Sequence, residues 1–438
     1  MKVKKIIFVL VILIVLSIGW ILSVRAISGV ELRESQNELI EKADILASKE
    51  LYIRSIPLYE KALSYSTDRN IEIEEKLLAN YQAFEEYDSY INLVERRMER
   101  DNATEQEYLT ASQYYINSGK IENAMALLKN GMKKFAVTTI EDMYEANRYG
   151  YMLHMTDYTE IIPTTDNMLM PAFNGEKWGY INNKGRGQTE FKYDFVTPFN
   201  QPGYAVVLYN GSYYVITRSG DKYGIDETGI TDVYSLTPNF ILAQANGYYG
   251  YYNYDFQCVA PTHQYEKITA NACGLAAVKK DGFWGIITDS GTVVVDFILE
   301  DVAINSLGSV YANNMAMVKT NGLWYLVDTK GNQISETGYA NAKAPESNGY
   351  IAVANTEGMW GYIDQKGNLV IDFQYINALS FSQHLAAVQI GSNWGYISEK
   401  NKLVIEQFIK EAQPFHNGIA QVRFADGMGL LELEYFEE

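Results

Sequence analysis

Phe381-Ser-Gln-His-Leu-Ala-Ala-Val-Gln-Ile-Gly-Ser-Asn-Trp394-Gly-Tyr-Ile-Ser-Glu-Lys-Asn-Lys-Leu403-Val-Ile405 decides the fold. Short apolar runs alternate with Gly- and Asn-bearing turns, which is how small antiparallel strands are written. The Trp-Gly pair at its centre, or a stand-in, returns at Trp178, Tyr213, Tyr249, Trp284, Trp324, Trp360 and Met428. The intervals from 178 to 428 are 35, 36, 35, 40, 36, 34 and 34 residues. A period of that size means that one structural unit is stacked many times.

Seven residues after the Trp register stand Gly185, Gly220, Gly291, Gly331, Gly367 and Asn401, with Phe256 the exception. Gly and Asn tolerate positive φ, so this register is a hairpin corner. Preceding residues such as Asp328 and Lys330 fit a type I turn closed by a left-handed glycine. Each corner offers one carboxylate where a calcium loop needs several oxygens, so no metal site is expected there. A large aromatic at a fixed register predicts core between neighbouring units, burying ~150–250 Å² each, and its following Gly permits close backbone approach. A ring of exposed aromatics would instead make a sugar platform.

Lys177-Trp178-Gly179-Tyr180-Ile181 and Trp360-Gly361-Tyr362-Ile363-Asp364 resemble the bacterial tryptophan-glycine (WG, or KWG) repeat family over residues 157–438. That resemblance implies a β-repeat fold and no assigned activity. Three to four short strands per unit fit an eight-bladed β-propeller, with an open β-array as the alternative. Tyr158–Pro163 reads like the last strand of a unit placed before the first, and the final unit at Met428 lacks that strand. The expectation is that 158–163 completes the last blade and closes the ring.

Residues 30–156 read as helical. Tyr52, Ile56, Tyr59 and Leu63 realign with Tyr87, Ile91, Val94 and Met98, then with Ile121, Met125, Leu128 and Met132, each set on one helical face. Tyr59-Glu60-Lys61-Ala62-Leu63 and Gly119-Lys120-Ile121-Glu122-Asn123-Ala124 resemble tetratricopeptide repeats, departing from them in the position of Pro57. The resemblance implies a groove for a peptide or protein; a rigid spacer is the other reading. A final helix over about 140–155 is expected to cap the stack.

Residues 1–29 contain Lys2, Lys4 and Lys5 before a 19-residue apolar run at 6–24. At ~1.5 Å per residue that run nearly spans a ~30 Å hydrocarbon core. It reads as an uncleaved signal anchor, with a cytoplasmic N-terminus and the bulk of the chain extracytoplasmic. Secretion after signal cleavage is the alternative. The formal net charge of −18 excludes a nucleic-acid partner, because no basic stripe interrupts the acidic background. Cys258 and Cys273 are expected as two unpaired thiols, Cys258 at a core register and Cys273 in a turn.

His154, His263, His384 and His416 are widely spaced without metal-ligand spacing, and His384 and His416 are expected at exposed turns. Phosphate loops, nucleophile elbows and zinc-helix motifs are absent. The sequence therefore names no catalytic, cofactor or metal residue and leaves the binding residues unknown. It reads as a non-enzymatic, membrane-anchored scaffold for a protein or cell-envelope polymer. The alternative is a carbohydrate-binding module or glycoside hydrolase drawing on the 35 tyrosines, with Tyr248, Tyr251 and Tyr254 as candidates.

Overall fold

The computed structural model describes residues 31–65, 68–136, 138–166, 168–226, 229–237, 239–259, 265–347 and 349–435. The expected membrane segment at 6–24 and His263 lie outside them. Among the described residues no helix is long and apolar enough to cross a membrane. The chain divides into two compact units between Asn147 and Arg148.

The first unit is helical: α1 (31–47), α2 (Tyr52–Leu63), α3 (Asn70–Ala83), α4 (Tyr87–Glu99), α5 (Glu105–Asn117), α6 (Ile121–Lys134) and α7 (Thr138–Asn147). The apolar faces read from spacing are buried at their centres: Ile56 and Tyr59, Ile91 and Val94, Met125 and Leu128. Tyr87, at the start of its face, is exposed. Thr104 and Glu107 cap α5 reciprocally, each side chain accepting from the other's backbone N–H. Glu107 does a second job, because its Oε2 also accepts from Arg97 Nε at 3.1 Å. Arg97 is buried and donates further to Glu74 Oε2 at 3.2 Å and to the Asn102 carbonyl at 3.2 Å. Arg100 donates to the other Glu74 oxygen at 2.7 Å. Two arginines and two glutamates thus tie α3, α4 and α5 together with balanced charge.

The expected helix over 140–155 is corrected. It ends at Asn147, and Tyr151–Thr156 is a strand. Met and Leu in Tyr151-Met-Leu-His-Met-Thr156 suit a helix locally, but six backbone pairings override that preference.

The second unit contains eight sheets, the blades of a propeller. Every Trp-register residue lies in the third strand of its blade, so blades 1 to 8 are those of Trp178, Tyr213, Tyr249, Trp284, Trp324, Trp360, Trp394 and Met428. In blade 8, Met428–Leu433 pairs with Tyr151–Thr156, Leu433 opposite Tyr151 and Met428 opposite Thr156. A segment from the beginning of the unit closes the ring, as expected, but it is not 158–163. Glu160–Ile161 instead opens blade 1 by pairing with Met170–Phe173. The correction has a geometric reason: the free edge of blade 8 is six residues long, and Tyr151–Thr156 matches it, whereas the extended part of 158–163 is two residues long.

The Trp register is core in six blades, and Trp178 and Trp394 are half-buried against their clusters. Trp284 packs in one cluster with Tyr311 and Val318 of blade 5, Trp324 with Ile351 and Val353 of blade 6, and Trp360 with Ala386 and Val388 of blade 7. Met428 packs with Ile161 and Met170 of blade 1, across the closure. The following glycine seats the fourth strand, which shifts register beside it in blades 4, 6 and 7. A Cβ at Gly361 would stand 2.6 Å from the Ile371 carbonyl oxygen, and one at Gly285 3.0 Å from that of Val295. The hairpin-corner register has positive φ at all seven positions, including Phe256 at 58°. Between second and third strands, Asn210-Gly211, Asn246-Gly247, Asp281-Gly282 and Asn321-Gly322 have positive φ at both residues, as in type I′ turns. Cys258 is exposed, not core as its register suggested, and Cys273 is exposed in a turn with φ 56°.

Gly361→Ala forces a methyl against backbone that cannot rotate away, and is expected to cost about 1–3 kcal/mol in denaturant unfolding followed by tryptophan fluorescence. Arg97→Ala strands the buried Glu107 carboxylate, leaves buried Glu74 with Arg100 alone, and is expected to cost about 3–5 kcal/mol by far-ultraviolet circular dichroism. Arg33→Ala, which breaks an exposed pair with Asp68, is expected to cost under about 1 kcal/mol by the same measurement.

Candidate functional site

The connections between first and second strands converge at one end of the propeller and enclose two adjoining cavities. The larger, about 560 Å³, is lined from blades 1 to 5, with Pro163, Pro198, Leu236 and Leu307 among its apolar wall residues. The smaller, about 370 Å³, is lined from blades 1, 5, 6, 7 and 8. Thr165 and Leu307 border both.

Blade 5 divides them. Its connection, 303–314, is twelve residues long, whereas those of blades 4, 7 and 8 (269–274, 379–384, 413–418) have six. Those extra residues are the 40-residue interval in the sequence. Asn305 shapes the extension: its Oδ1 accepts from Leu307 N and Ser309 N, at 3.1 and 3.0 Å, and its Nδ2 donates to the Pro345 carbonyl at 3.3 Å. Gly308, at φ 81°, turns the chain so that its carbonyl receives Ala270 N at 2.8 Å. Ser306 is thereby held between blades 6 and 8.

Three groups from three blades meet there. Ser306 N donates to Glu346 Oε1 at 3.0 Å, and Ser306 Oγ donates to Glu346 Oε2 at 2.7 Å. His416 Nε2 lies 2.7 Å from the same Oγ and 3.7 Å from Glu346 Oε2. With the hydroxyl proton committed to the carboxylate, neutral His416 donates from Nε2 to Oγ. Burial pushes the Glu346 carboxyl up to about 7, against the pull of the two Ser306 hydrogen bonds. Burial alone lowers His416 to about 4. The approach of His416 to Glu346 is therefore a contact of a neutral imidazole, not an ion pair.

This cluster is a hub, not a hydrolytic relay. In a relay the carboxylate orients the histidine nitrogen remote from the nucleophile; here carboxylate and histidine both engage the serine oxygen, and the serine N–H is spent on the carboxylate. Among the described residues, no group of three or more His, Cys, Asp or Glu is placed to hold a metal ion. Asp328 and Asp364 cap their own corners: desolvation opposes ionisation, but bonds from Asn332 and Asn368 and from backbone N–H groups hold both carboxyls below the usual range.

The exposed-turn reading of His416 is corrected, since only 6% of its side chain is accessible. His384 is half-buried beside Glu399, 3.2 Å away, and His154 pairs with Glu432 at the ring closure. Of the sugar-platform candidates, Tyr251 is buried, Tyr254 half-buried and Tyr248 exposed. Tyr180, Tyr362 and Tyr396, two residues after the Trp register, are fully buried, with ring centroids 4.8, 4.9 and 4.9 Å from those of Phe199, Phe381 and Phe415.

The family model described as WG containing repeat matches residues 178–213, 249–282, 284–324, 360–394 and 394–427. No curated protein matches the chain. Among solved structures it is similar to a eukaryotic initiation factor, at 11% identity and TM-score 0.43, over 64% of this chain and 88% of that one. It is also similar to Hsv2 of Kluyveromyces lactis, at 8% identity and TM-score 0.36, over 65% and 98%. The WD40 domain of Neurospora crassa Pan2 aligns at 9% identity and TM-score 0.32, over 56% and 90%.

The hub predicts two opposed pH dependences. Folded Glu346 binds its proton more readily than an ordinary glutamate, so its contribution to stability falls as pH rises from about 4.5 to 7. Folded His416 binds its proton less readily, so its contribution falls as pH drops from about 6.5 to 4. At ~1.4 kcal/mol per pH unit each amounts to about 3 kcal/mol, and in the parent they offset. Relative to the parent, Glu346→Gln is expected to lose stability on acidification and His416→Gln on alkalinisation, read as denaturation midpoints between about pH 4 and 7.5.

Proposed function

We propose that this protein is a non-catalytic, membrane-anchored scaffold whose propeller binds a segment of a protein partner at the cavity-bearing face. In this reading residues 6–24 anchor the chain, the remainder is extracytoplasmic, and the tetratricopeptide-like helices offer a second docking surface. The observation that carries it is the construction of the cavity of about 560 Å³: apolar walls with scattered serine, threonine and asparagine groups, contributed by five blades. That size and lining suit recognition of a side chain or short segment. The sugar-binding alternative is less favoured, because most Trp-register rings and the tyrosines that follow them are consumed in contacts within and between blades.

Leu307 borders both cavities and is 38% exposed, which makes it the discriminating position. In mild cross-linking on native membranes, Leu307→Arg is expected to reduce recovery of a specific protein partner at least tenfold, while Ile298→Arg on an exposed position of an outer strand leaves it unchanged. Equal recovery from both variants, or recovery of glycan in place of protein, would overturn the reading.

A further inference from the structure

The smaller cavity contains a carboxylate without a cation. The Glu346 side chain is 7% exposed, and among the described residues no lysine or arginine lines the cavity around it. Its two oxygens each accept one bond from Ser306, which leaves each able to accept another. Lys343, on the same connection, is directed elsewhere, with its Nζ 5.1 Å from the centre of the Trp360 ring and burial lowering its proton affinity. Arg218 is held by Asp166. His416 is uncharged at neutral pH and bonds to Ser306. A buried carboxylate in this state is poorly compensated, and a cation brought within about 4–6 Å would compensate it.

The rest of the lining says what kind of cation. Leu307 supplies apolar wall beside the polar Ser382, Gln383 and Asn417. A bare divalent ion wants several hard oxygen ligands, and the lining offers one carboxylate. An alkyl stem ending in a charged head matches both surfaces, and lysine and arginine side chains are built that way. The chain's formal charge of −18 draws cationic partners toward it.

We propose that the smaller cavity seats one cationic side chain, a lysine ammonium or arginine guanidinium presented by a protein partner, with Glu346 as its counter-ion and Leu307 against its stem. This rests on the protein-binding reading above and specifies the chemistry of recognition. Binding displaces a proton from Glu346 wherever that group is protonated, so affinity rises with pH through about 7. The titratable and charged groups facing Glu346 from the surrounding connections are His416 of blade 8 and, across the cavity, His384 of blade 7 with its partner Glu399. Lys343 and the Asp166–Arg218 pair are engaged as described.

The test uses the full-length chain and blocked tripeptides, acetyl-Gly-Lys-Gly-amide and acetyl-Gly-Arg-Gly-amide, with the Gln tripeptide as the neutral control, in calorimetric or NMR titrations. Expected is saturable binding of a basic tripeptide that is at least tenfold weaker in Glu346→Gln and about tenfold weaker at pH 6 than at pH 8, with that pH dependence lost in Glu346→Gln. No saturable binding, equal binding of the Gln tripeptide, or undiminished binding by Glu346→Gln overturns the proposal. Potassium or magnesium binding that depends on Glu346 while tripeptides do not bind overturns it too, in favour of a simple ion site. Should Glu346→Gln fail to fold, Ser306→Ala serves instead: loss of the hydroxyl bond raises the proton affinity of Glu346, so the pH midpoint of binding must move upward, and an unmoved midpoint counts against the site. Because no partner is present in these titrations, their failure is separable from failure of the cross-linking experiment.

Discussion

One side chain per blade, at the Trp register, is wedged against the next blade, and the rest of the propeller is arranged around that contact. A single aromatic of this kind buries ~150–250 Å², which at ~25 cal/mol per Å² is about 4–6 kcal/mol as an upper bound for each interface. The position two residues on, with Tyr180, Tyr362 and Tyr396 fully buried, adds a second repeated block of ring surface beside it. The glycine that follows is a second half of the same device, because the fourth strand must cross close to the third where the ring turns into the neighbour. Tyr213, Tyr249 and Met428 show that the register demands bulk more than it demands indole.

An array held by neighbour contacts leaves two unpaired ends, and each exposed strand edge is a site for unwanted pairing. Closure removes both. The strand that does it, Tyr151–Thr156, joins Met428–Leu433 from the opposite end of the unit, so the last blade cannot be completed by anything local to it. Contacts of such separation are formed late and slowly. The ring therefore depends on a segment whose letters carry little strand character of their own, and this is also why it read as helix. Its strand identity comes from its partner.

What was legible and what was not divides along the same line. Blade number, hairpin corners and the buried faces of the helices come from interactions within one hairpin or one repeat, and spacing reports those directly. Phe256 is instructive: its letter breaks the Gly/Asn rule, but its backbone keeps the positive φ of the register. A left-handed residue that carries a Cβ costs roughly 1–2 kcal/mol. Burial of the whole ring in the core beside Tyr252 and Tyr254 offsets that cost. The neighbours of His416 come from blades 5 and 6, several repeats away along the chain, and no periodicity encodes a meeting across the centre of a ring. Cys258 shows the opposite limit. Its register is shared with apolar residues of other units, yet Leu369, Leu403 and Val293 at that register are themselves exposed on fourth strands, so the register was never core.

Repetition also makes departures from it informative. Seven intervals set what a blade needs, and the 40-residue one contains material that packing between neighbours does not require. That material forms the longest connection at the face, and its Ser306 ends against a buried carboxylate and a buried imidazole from two other blades. As a stability element the hub is a poor choice, since burying Glu346 raises its proton affinity to about 7 and apolar residues of similar volume would fill the space at lower cost. Two hydrogen bonds from Ser306 fix the orientation of Glu346 without neutralising it. Groups held in place at a cost to folding, beside a cavity and at the longest of these connections, are what a binding site requires and what a stacked core does not.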